Sequence, residues 1–425
     1  MDFLIFQTRL FKPNDGALRG PSFPMEFQGP RDQTLGQNMP TSSTSRSLLW
    51  QAFHPLGDDG AQRHRTGDET TGRSITQGDP SDSSTPRRES LSRRGDVSVF
   101  LETPMHHAFP LAETFGIAAP DHLTVPGFVD SSHPLIPKRK AYVFRREPLR
   151  DVLAFLTQSH GDGLYITGPT GSGKTSLVTQ VAARLNWPVQ SVTCHGRLEL
   201  QSLIGQFTLS EGTMQFVHGP LAVALREGQL LILNEIDLLE PSELSGLNEC
   251  LEGQALVIPH NGGEVIAPHP AFRLVATANS RGSGDRTGLY QGVLRQNLAF
   301  LDRFRLLEVG YPDPEVEALM LELKVPELPK EIREAMIRVA GEIRLLFIGQ
   351  DQVAGLLGLT LSTRGLLRWA ELALTFRGAP KTLAYALDRS LTLRAEPEER
   401  TAIHRIAADV FGDLWESALA LNPTP

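Results

Sequence analysis

Eight consecutive residues, Gly168-Pro169-Thr170-Gly171-Ser172-Gly173-Lys174-Thr175, constrain this 425-residue chain more than any other feature. They match G-x-x-x-x-G-K-[ST], follow the apolar run Leu164–Thr167 and open the helix-like stretch Ser176–Leu185. Glycines at that spacing let successive backbone N–H groups curl around phosphate oxygens, and the positive end of the following helix points at the same place. A lysine there reaches the β- and γ-phosphates, and the neighbouring hydroxyl ligates Mg²⁺. The segment therefore predicts an ATP site with Mg²⁺ as cofactor. Its nucleotide-binding residues are Gly168, Pro169, Thr170, Gly171, Ser172, Gly173, Lys174, Thr175 and Ser176, with Thr175 also a metal ligand. A glycine-rich turn without function would not need the strand before it or the helix after it.

Such a loop works only at the end of a buried strand, and more strands of that kind follow. Val189–Thr193, Leu230–Leu233 and Leu274–Ala278 are short, apolar and each followed by polar loop residues. Strands covered on both faces read this way, so a parallel sheet flanked by helices is predicted. Two hairpins interrupt the pattern: Phe207–Val217 around Glu211-Gly212, and Ala255–Ile266 around Asn261-Gly262-Gly263, where the turn signal is strong. Past Tyr311-Pro312 the pattern becomes helical. Ile332, Met336, Val339, Ile343 and Leu346 share one face, and a further helix starts at Ser362-Thr363 and stops at Gly378-Ala379-Pro380. The fold class is thus an α/β P-loop core with β-hairpin insertions and a C-terminal all-helical lid.

Strand ends supply the other candidate residues. Leu230–Leu233 runs into Asn234-Glu235-Ile236-Asp237, an apolar strand ending in a polar and an acidic residue, as in a Walker B element. Glu235 stands where the base that polarises the attacking water belongs. Asn234 stands where an aspartate is usual, so it brings an amide oxygen but no charge to Mg²⁺; Asp237 supplies that charge if the loop folds back. Both are counted as metal residues. Arg273–Ser280 ends in Asn279, which either helps orient the water or is simply a turn residue. Arg303, within Leu301–Arg305, is read either as an arginine finger reaching a neighbour's γ-phosphate or as a surface ion pair with Asp302. Arg364 opens the lid helix, and contacts phosphate from the same subunit or is a solvated helix residue. Histidines such as His106, His107, His195, His260 and His269 lack metal-ligand spacing, so no metal site beyond Mg²⁺ is assigned.

Bulk properties narrow the class. The formal net charge is −8 and the pI about 5.9. A nucleic-acid footprint is not expected, and a DNA-directed motor or loader, which would share the core, lacks its basic stripe. Apolar runs are strand-length, so no membrane span is expected. Cys194 and Cys250 form no metal pair and suit a reducing compartment, with cytoplasm as the default. Thr41–Gly95 is dense in Ser, Thr, Arg, Asp, Gly and Pro and cannot bury enough surface to offset chain entropy. Residues 1–105 are read as a disordered tail, or as sequence upstream of a true start at Met105. The remaining expected divisions are a lead-in at 106–145, the α/β nucleotide-binding domain at 146–310, the helical lid at 311–415 and a tail at 416–425.

With these elements in order, the chain resembles the MoxR-type branch of AAA+ ATPases, and within it the cobaltochelatase ATPase subunits of the CobS type. The likeness is carried by Phe115-Gly116-Ile117 with Val125-Pro126, Tyr142-Val143-Phe144, Gln180–Pro188, Pro268–Asn279, Asp285 with Thr287–Tyr290, and Ser362-Thr363-Arg364 with Trp369-Ala370-Glu371. It implies a hexameric homo-oligomeric ring with ATP between subunits. It also implies Glu235 as catalytic base, Asn279 as sensor 1, Arg303 as finger and Arg364 as sensor 2. The implied partners are a von Willebrand factor A-type domain protein and a client protein, such as the large subunit of a metal chelatase. The family's Walker B carboxylate is Asn234 here, the loop interior and Thr193–Ile204 differ from the chelatase pattern, and residues 1–100 have no counterpart. A paralogue with another client therefore stands beside the chelatase subunit. A rival of another class is a nucleotide-gated assembly module that turns over slowly because of Asn234.

Overall fold

The computed structural model describes residues 107–419 apart from 211, 286–289 and 349–356. The expectations for residues 1–105, for most of the C-terminal tail and for Thr287–Leu289 lie outside the described residues.

The described chain opens with a short antiparallel pair, β1 (His107–Pro110) and β2 (Thr124–Gly127). The helix Arg146–Thr157 leads to β3 (Gly163–Thr167), the phosphate loop and the helix Lys174–Arg184. Strand β4 (Val189–Thr193) follows, then the hairpin of β5 (Gly205–Ser210) and β6 (Thr213–His218). After β7 (Leu230–Asn234) comes a second hairpin, β8 (Leu256–Ile258) and β9 (Glu264–Ile266), and then β10 (Arg273–Ala278) and β11 (Phe304–Glu308). Both predicted hairpins are present, the second closing through Gly262 at φ 65°.

One five-stranded, all-parallel sheet runs β11-β3-β10-β7-β4. Strands β3 and β10 are buried along their whole length, and β7 is buried up to Asn234, because helices cover both faces. Two apolar clusters form those faces. One contains Leu153, Ile166, Leu177, Trp187 and Ile232; the other contains Tyr165, Leu225, Leu233, Ala276 and Phe304. The lead-in joins the first: Phe128 packs edge-on against Trp187 at 5.4 Å, and Phe115 against Phe144 at 5.2 Å.

Strand β11 is absent from the sequence reading. It is an edge strand with Phe304 and Leu307 buried and Leu306 and Glu308 exposed, so Phe-Arg-Leu-Leu-Glu shows no continuous apolar run.

The lid is helical: Pro314–Lys324, Lys330–Ile348, Thr363–Thr375, Thr382–Ser390 and Pro397–Phe411 enclose a core that includes Met336, Ile343, Leu366, Trp369 and Leu387. Ser362 caps the third of these, its hydroxyl accepting from the Gly365 N–H at 3.1 Å. Among the described residues no helix is long and apolar enough to cross a membrane.

Candidate functional site

The loop Gly168–Thr175 turns at the end of β3 with Gly168, Gly171 and Gly173 at φ +147°, +70° and +97°. Two of these glycines are required by close approach as well. A Cβ on Gly168 would fall 2.2 Å from the Val309 carbonyl oxygen, and one on Gly171 would fall 2.6 Å from Ser362 at the lid's cap. The Lys174 ammonium spends its three donors on the Gly168 and Pro169 carbonyls at 2.7 and 3.0 Å and on Asn279 Oδ1 at 3.0 Å. Burial pushes its pKa down to about 8, against the pull of Asp237 and Glu235 and with the push of Arg364.

Strands β3, β7 and β10 end side by side, which sets the remaining polar groups around that lysine. Thr277 lies opposite Asn234 in the β10–β7 register. Thr175 Oγ1 donates to Asn234 Oδ1 at 2.7 Å, while Asn234 Nδ2 donates to Ser191 Oγ at 3.0 Å and to the Val192 carbonyl at 3.3 Å. Glu235 follows at φ 55°, ψ 45°, exposed, its N–H on Thr277 Oγ1 at 3.3 Å. A left-handed backbone at a glutamate costs on the order of 1 kcal/mol and survives only where its surroundings hold it. The short 3₁₀ turn Ile236–Leu238 folds Asp237 back beneath the strand ends. There its Oδ2 accepts from the Asn279 and Ser280 N–H groups, both at 3.0 Å, and Oδ1 is buried without a hydrogen-bond partner. Asp237 thus anchors the residue that Lys174 holds.

Lid and lead-in wall the loop on one side, around a cavity of about 470 Å³ lined by Gly171, Gly173, Ser176, Tyr142, Arg364 and Arg368 among others. Arg364 Cβ lies 3.7 Å from the position a Gly171 Cβ would take. Tyr142 lines this cavity, although in the sequence it contributes only to the family resemblance. Burial pushes its phenol up to about 12, and its ring packs on Phe144, which in turn lies beneath the Arg184 guanidinium. The sequence signal for it is the Tyr-Val-Phe string that begins 26 positions before Gly168.

Arg303 lies apart from this cluster. The expected ion pair with Asp302 does not form; Arg303 bonds the Glu252 carboxylate instead, through Nε at 2.8 Å and through Nη2, and its Nη1 reaches back to the Ala299 carbonyl. The chain turns at the end of the helix Leu298–Leu301, so the Arg303 side chain lies back along that helix against Ala299 and Glu252. Within this chain, then, the site gathers Lys174, Thr175, Asn234, Glu235, Asp237, Asn279 and Arg364, but not Arg303.

The residues present fit a hard cation beside a polyphosphate. Thr175 and Asn234 offer a hydroxyl and an amide oxygen already in contact, and Asp237 Oδ1 and the Ser172 hydroxyl are buried without partners. No cluster of three His, Cys, Asp or Glu residues that could hold a metal occurs among the described residues. Both thiols are buried, and burial pushes Cys194 up to about 12 and Cys250 to about 11, which disfavours the thiolate form.

Comparison with known proteins agrees with this geometry. Residues 163–304 match the AAA domain (dynein-related subfamily), and residues 317–410 match the CbbQ/NirQ/NorQ C-terminal family. The chain is 30% identical to aerobic cobaltochelatase subunit CobS of a Sinorhizobium species over 326 residues, covering 75% of this chain and 93% of that protein. It is 31% identical to protein NorQ of Paracoccus denitrificans over 252 residues, 59% of this chain and 86% of NorQ. A stretch of 212 residues, 49% of this chain, is 34% identical to 3% of midasin from Dictyostelium discoideum.

Proposed function

This chain belongs to the AAA+ ATPases of the CbbQ/NorQ/CobS family, and from that premise we propose that it hydrolyses ATP between the subunits of a homo-oligomeric ring and uses the cycle to remodel a client protein. The observation that carries the reading is the 3.0 Å bond between Lys174 Nζ and Asn279 Oδ1. It brings the loop lysine and the strand-end amide to one point, beside Glu235 and the Thr175–Asn234 pair.

In this reading the Gly168–Ser176 amides hold the phosphates, and Lys174 exchanges its loop carbonyls for β- and γ-oxygens. Thr175 and Asn234 hold Mg²⁺, with Asp237 lending charge from behind. Bound there, Mg²⁺ would neutralise charge developing on the phosphates. Glu235 takes the proton of the attacking water, Asn279 orients that water, and Arg364 closes on the phosphates from the lid. Arg303 serves the neighbour's site: in one subunit it is held by Glu252, and assembly transfers it to the γ-phosphate next door. Swinging of the lid against the core supplies the mechanical output.

The names of two relatives support a class of client. CobS is named as a cobaltochelatase subunit, so a metal chelatase is one client class; a von Willebrand factor A-type protein as adaptor is what the family resemblance implies. NorQ, of similar identity, has a different name, so the client need not be a chelatase.

A second reading is favoured by one contact. The Thr175 hydroxyl bonds a neutral amide rather than a carboxylate, which suits a ring that assembles on ATP and turns over slowly. Steady-state ATPase and ATP affinity of wild type, Lys174→Ala and Glu235→Gln separate the two. The remodeller requires wild type to be far faster than Glu235→Gln, with ATP binding lost only in Lys174→Ala. Equal, slow turnover of wild type and Glu235→Gln would establish the gated module instead.

A further inference from the structure

Away from the groups that would touch nucleotide, a set of polar side chains meets where core joins lid. Glu317 and Arg344 are 1% and 7% exposed, in the first and second lid helices. Arg344 Nη1 and Nη2 each donate to a Glu317 oxygen at 2.8 Å, and Nε donates to the Leu361 carbonyl at 2.8 Å. Glu317 Oε1 also accepts the Thr363 hydroxyl at 2.8 Å. The guanidinium lies 4.4 Å from the centre of the Tyr311 ring. Tyr311, in the segment joining β11 to the lid, donates its hydroxyl to the Thr170 carbonyl at 3.0 Å, and Thr360 Oγ1 stands 3.4 Å from the same oxygen.

The contacts form a closed path. It leaves the phosphate loop at Thr170, crosses Tyr311, Arg344 and Glu317, and arrives at Thr363. The next residue is Arg364, and Ser362 touches the loop again at Gly171. A buried ion pair is a poor stabiliser compared with apolar residues of the same volume, but it tolerates little displacement, because each partner left alone is a desolvated charge. Such a pair transmits position rather than stability. The loop whose N–H groups would hold phosphate presents a carbonyl, on its other side, to Tyr311.

We infer that Tyr311 is a positioning residue that ties the conformation of the phosphate loop to the seating of Arg364, acting through Arg344 and Glu317. This rests on the reading of the loop and Arg364 as a nucleoside triphosphate site. Tyr311→Phe removes one oxygen and keeps the ring under Arg344, so the fold is retained while the tie to Thr170 is lost.

The test is a double-mutant cycle in the full-length protein, reading the Kd of a fluorescent N-methylanthraniloyl ATP with Mg²⁺, with thermal melting of each variant alongside. Losing one neutral hydrogen bond should weaken binding about fivefold in Tyr311→Phe. Losing a guanidinium from phosphate should weaken it about tenfold or more in Arg364→Ala. If Tyr311 acts through Arg364, the double variant binds no more weakly than Arg364→Ala alone. A packing role would move the melting temperature and leave the two binding losses to multiply. Multiplicative losses, or a Tyr311→Phe protein that binds like wild type, overturn the inference while the ATP site stands. Wild type that does not bind, or that binds no better than Lys174→Ala, removes the site and the inference together.

Discussion

Thr175 Oγ1 and Asn234 Oδ1 are 2.7 Å apart, and the other side of the same amide is bonded to the Val192 carbonyl and to Ser191. Asn234 is therefore doing two jobs that an aspartate cannot both do. It offers an oxygen to the Thr175 hydroxyl and a donor to the neighbouring strand. Asn234→Asp should lower the stability of the nucleotide-free protein by about 1 kcal/mol through lone-pair repulsion at Val192. It should also lower the Mg²⁺ concentration that half-saturates ATP turnover. Denaturant unfolding and a Mg²⁺ titration of the ATPase check both. An unchanged Mg²⁺ midpoint would show that Asn234 does not limit the metal.

Lys174 makes the site pH-dependent in a definite direction. Burial depresses its pKa from 10.5 to about 8, so between those values the folded, nucleotide-free chain carries fewer protons at this group than the unfolded chain. The group's contribution to stability then rises with pH across that window, where burial of the ammonium no longer has to be tolerated. Bound triphosphate reverses the balance because it favours the charged amine. ATP affinity should be level below pH 8 and fall above it, approaching about tenfold per pH unit, with proton uptake on binding of about half a proton at pH 8 that approaches one at higher pH. Calorimetric titrations in buffers of different ionisation enthalpy measure that proton. Affinity that stays flat from neutral to strongly alkaline pH would be inconsistent with Lys174 as the phosphate ligand.

Glu235 is exposed at the end of β7 in a left-handed backbone conformation, free to meet water but not itself bonded to the loop. Glu235→Gln should therefore leave ATP binding intact and reduce kcat by about 10²-fold or more. Single-turnover hydrolysis alongside equilibrium binding separates the two effects. Loss of binding in this variant would instead assign Glu235 to the metal.

Arg303 is held by Glu252 of the same chain. Arg303→Ala should bind ATP normally yet turn over about 10³-fold more slowly, as expected of an arginine supplied in trans. Mixing Arg303→Ala subunits with Lys174→Ala subunits creates interfaces in which an intact loop faces an intact arginine. ATPase activity of the mixture should exceed the sum of the two inactive parents. No gain on mixing would remove Arg303 from the finger role.

Glu317 and Arg344 have side chains only 2% and 8% exposed. Arg344→Met alone leaves a buried carboxylate unpaired and should cost about 3–5 kcal/mol, whereas Arg344→Met combined with Glu317→Leu should recover much of that loss. Chemical denaturation of the three proteins gives the comparison. A double variant as unstable as the single one would mean that the pair is held by its packing and not by its charge.

Much of this site was legible in the chain because its parts are local. The loop, Asn234-Glu235 and Asn279 each sit at the end of a short buried run, where an apolar strand meets polar residues. Strand β11 was not legible, because an edge strand with one exposed face alternates Leu306 and Glu308 with buried residues. Tyr142 and Tyr311 were not assigned to the site either: one lies about thirty residues before the loop, the other about 140 after it. No spacing rule joins an isolated aromatic to a distant glycine turn.

The glycine-rich loop at Gly168–Thr175 and the strands that support it can be read from the chain alone, because backbone geometry, helix dipole and side-chain period act over a few residues. Which side chains that loop meets is fixed by packing across the whole chain. Lys174 meets Asn279, Asp237 anchors Asn279 from beneath, and the lid brings Arg364 to Gly171 while Tyr311 bonds Thr170. Those pairings depend on strand order and on how the lid folds back. Both are settled by burying the same apolar faces against one another, a condition that is satisfied by the chain as a whole and by no segment alone.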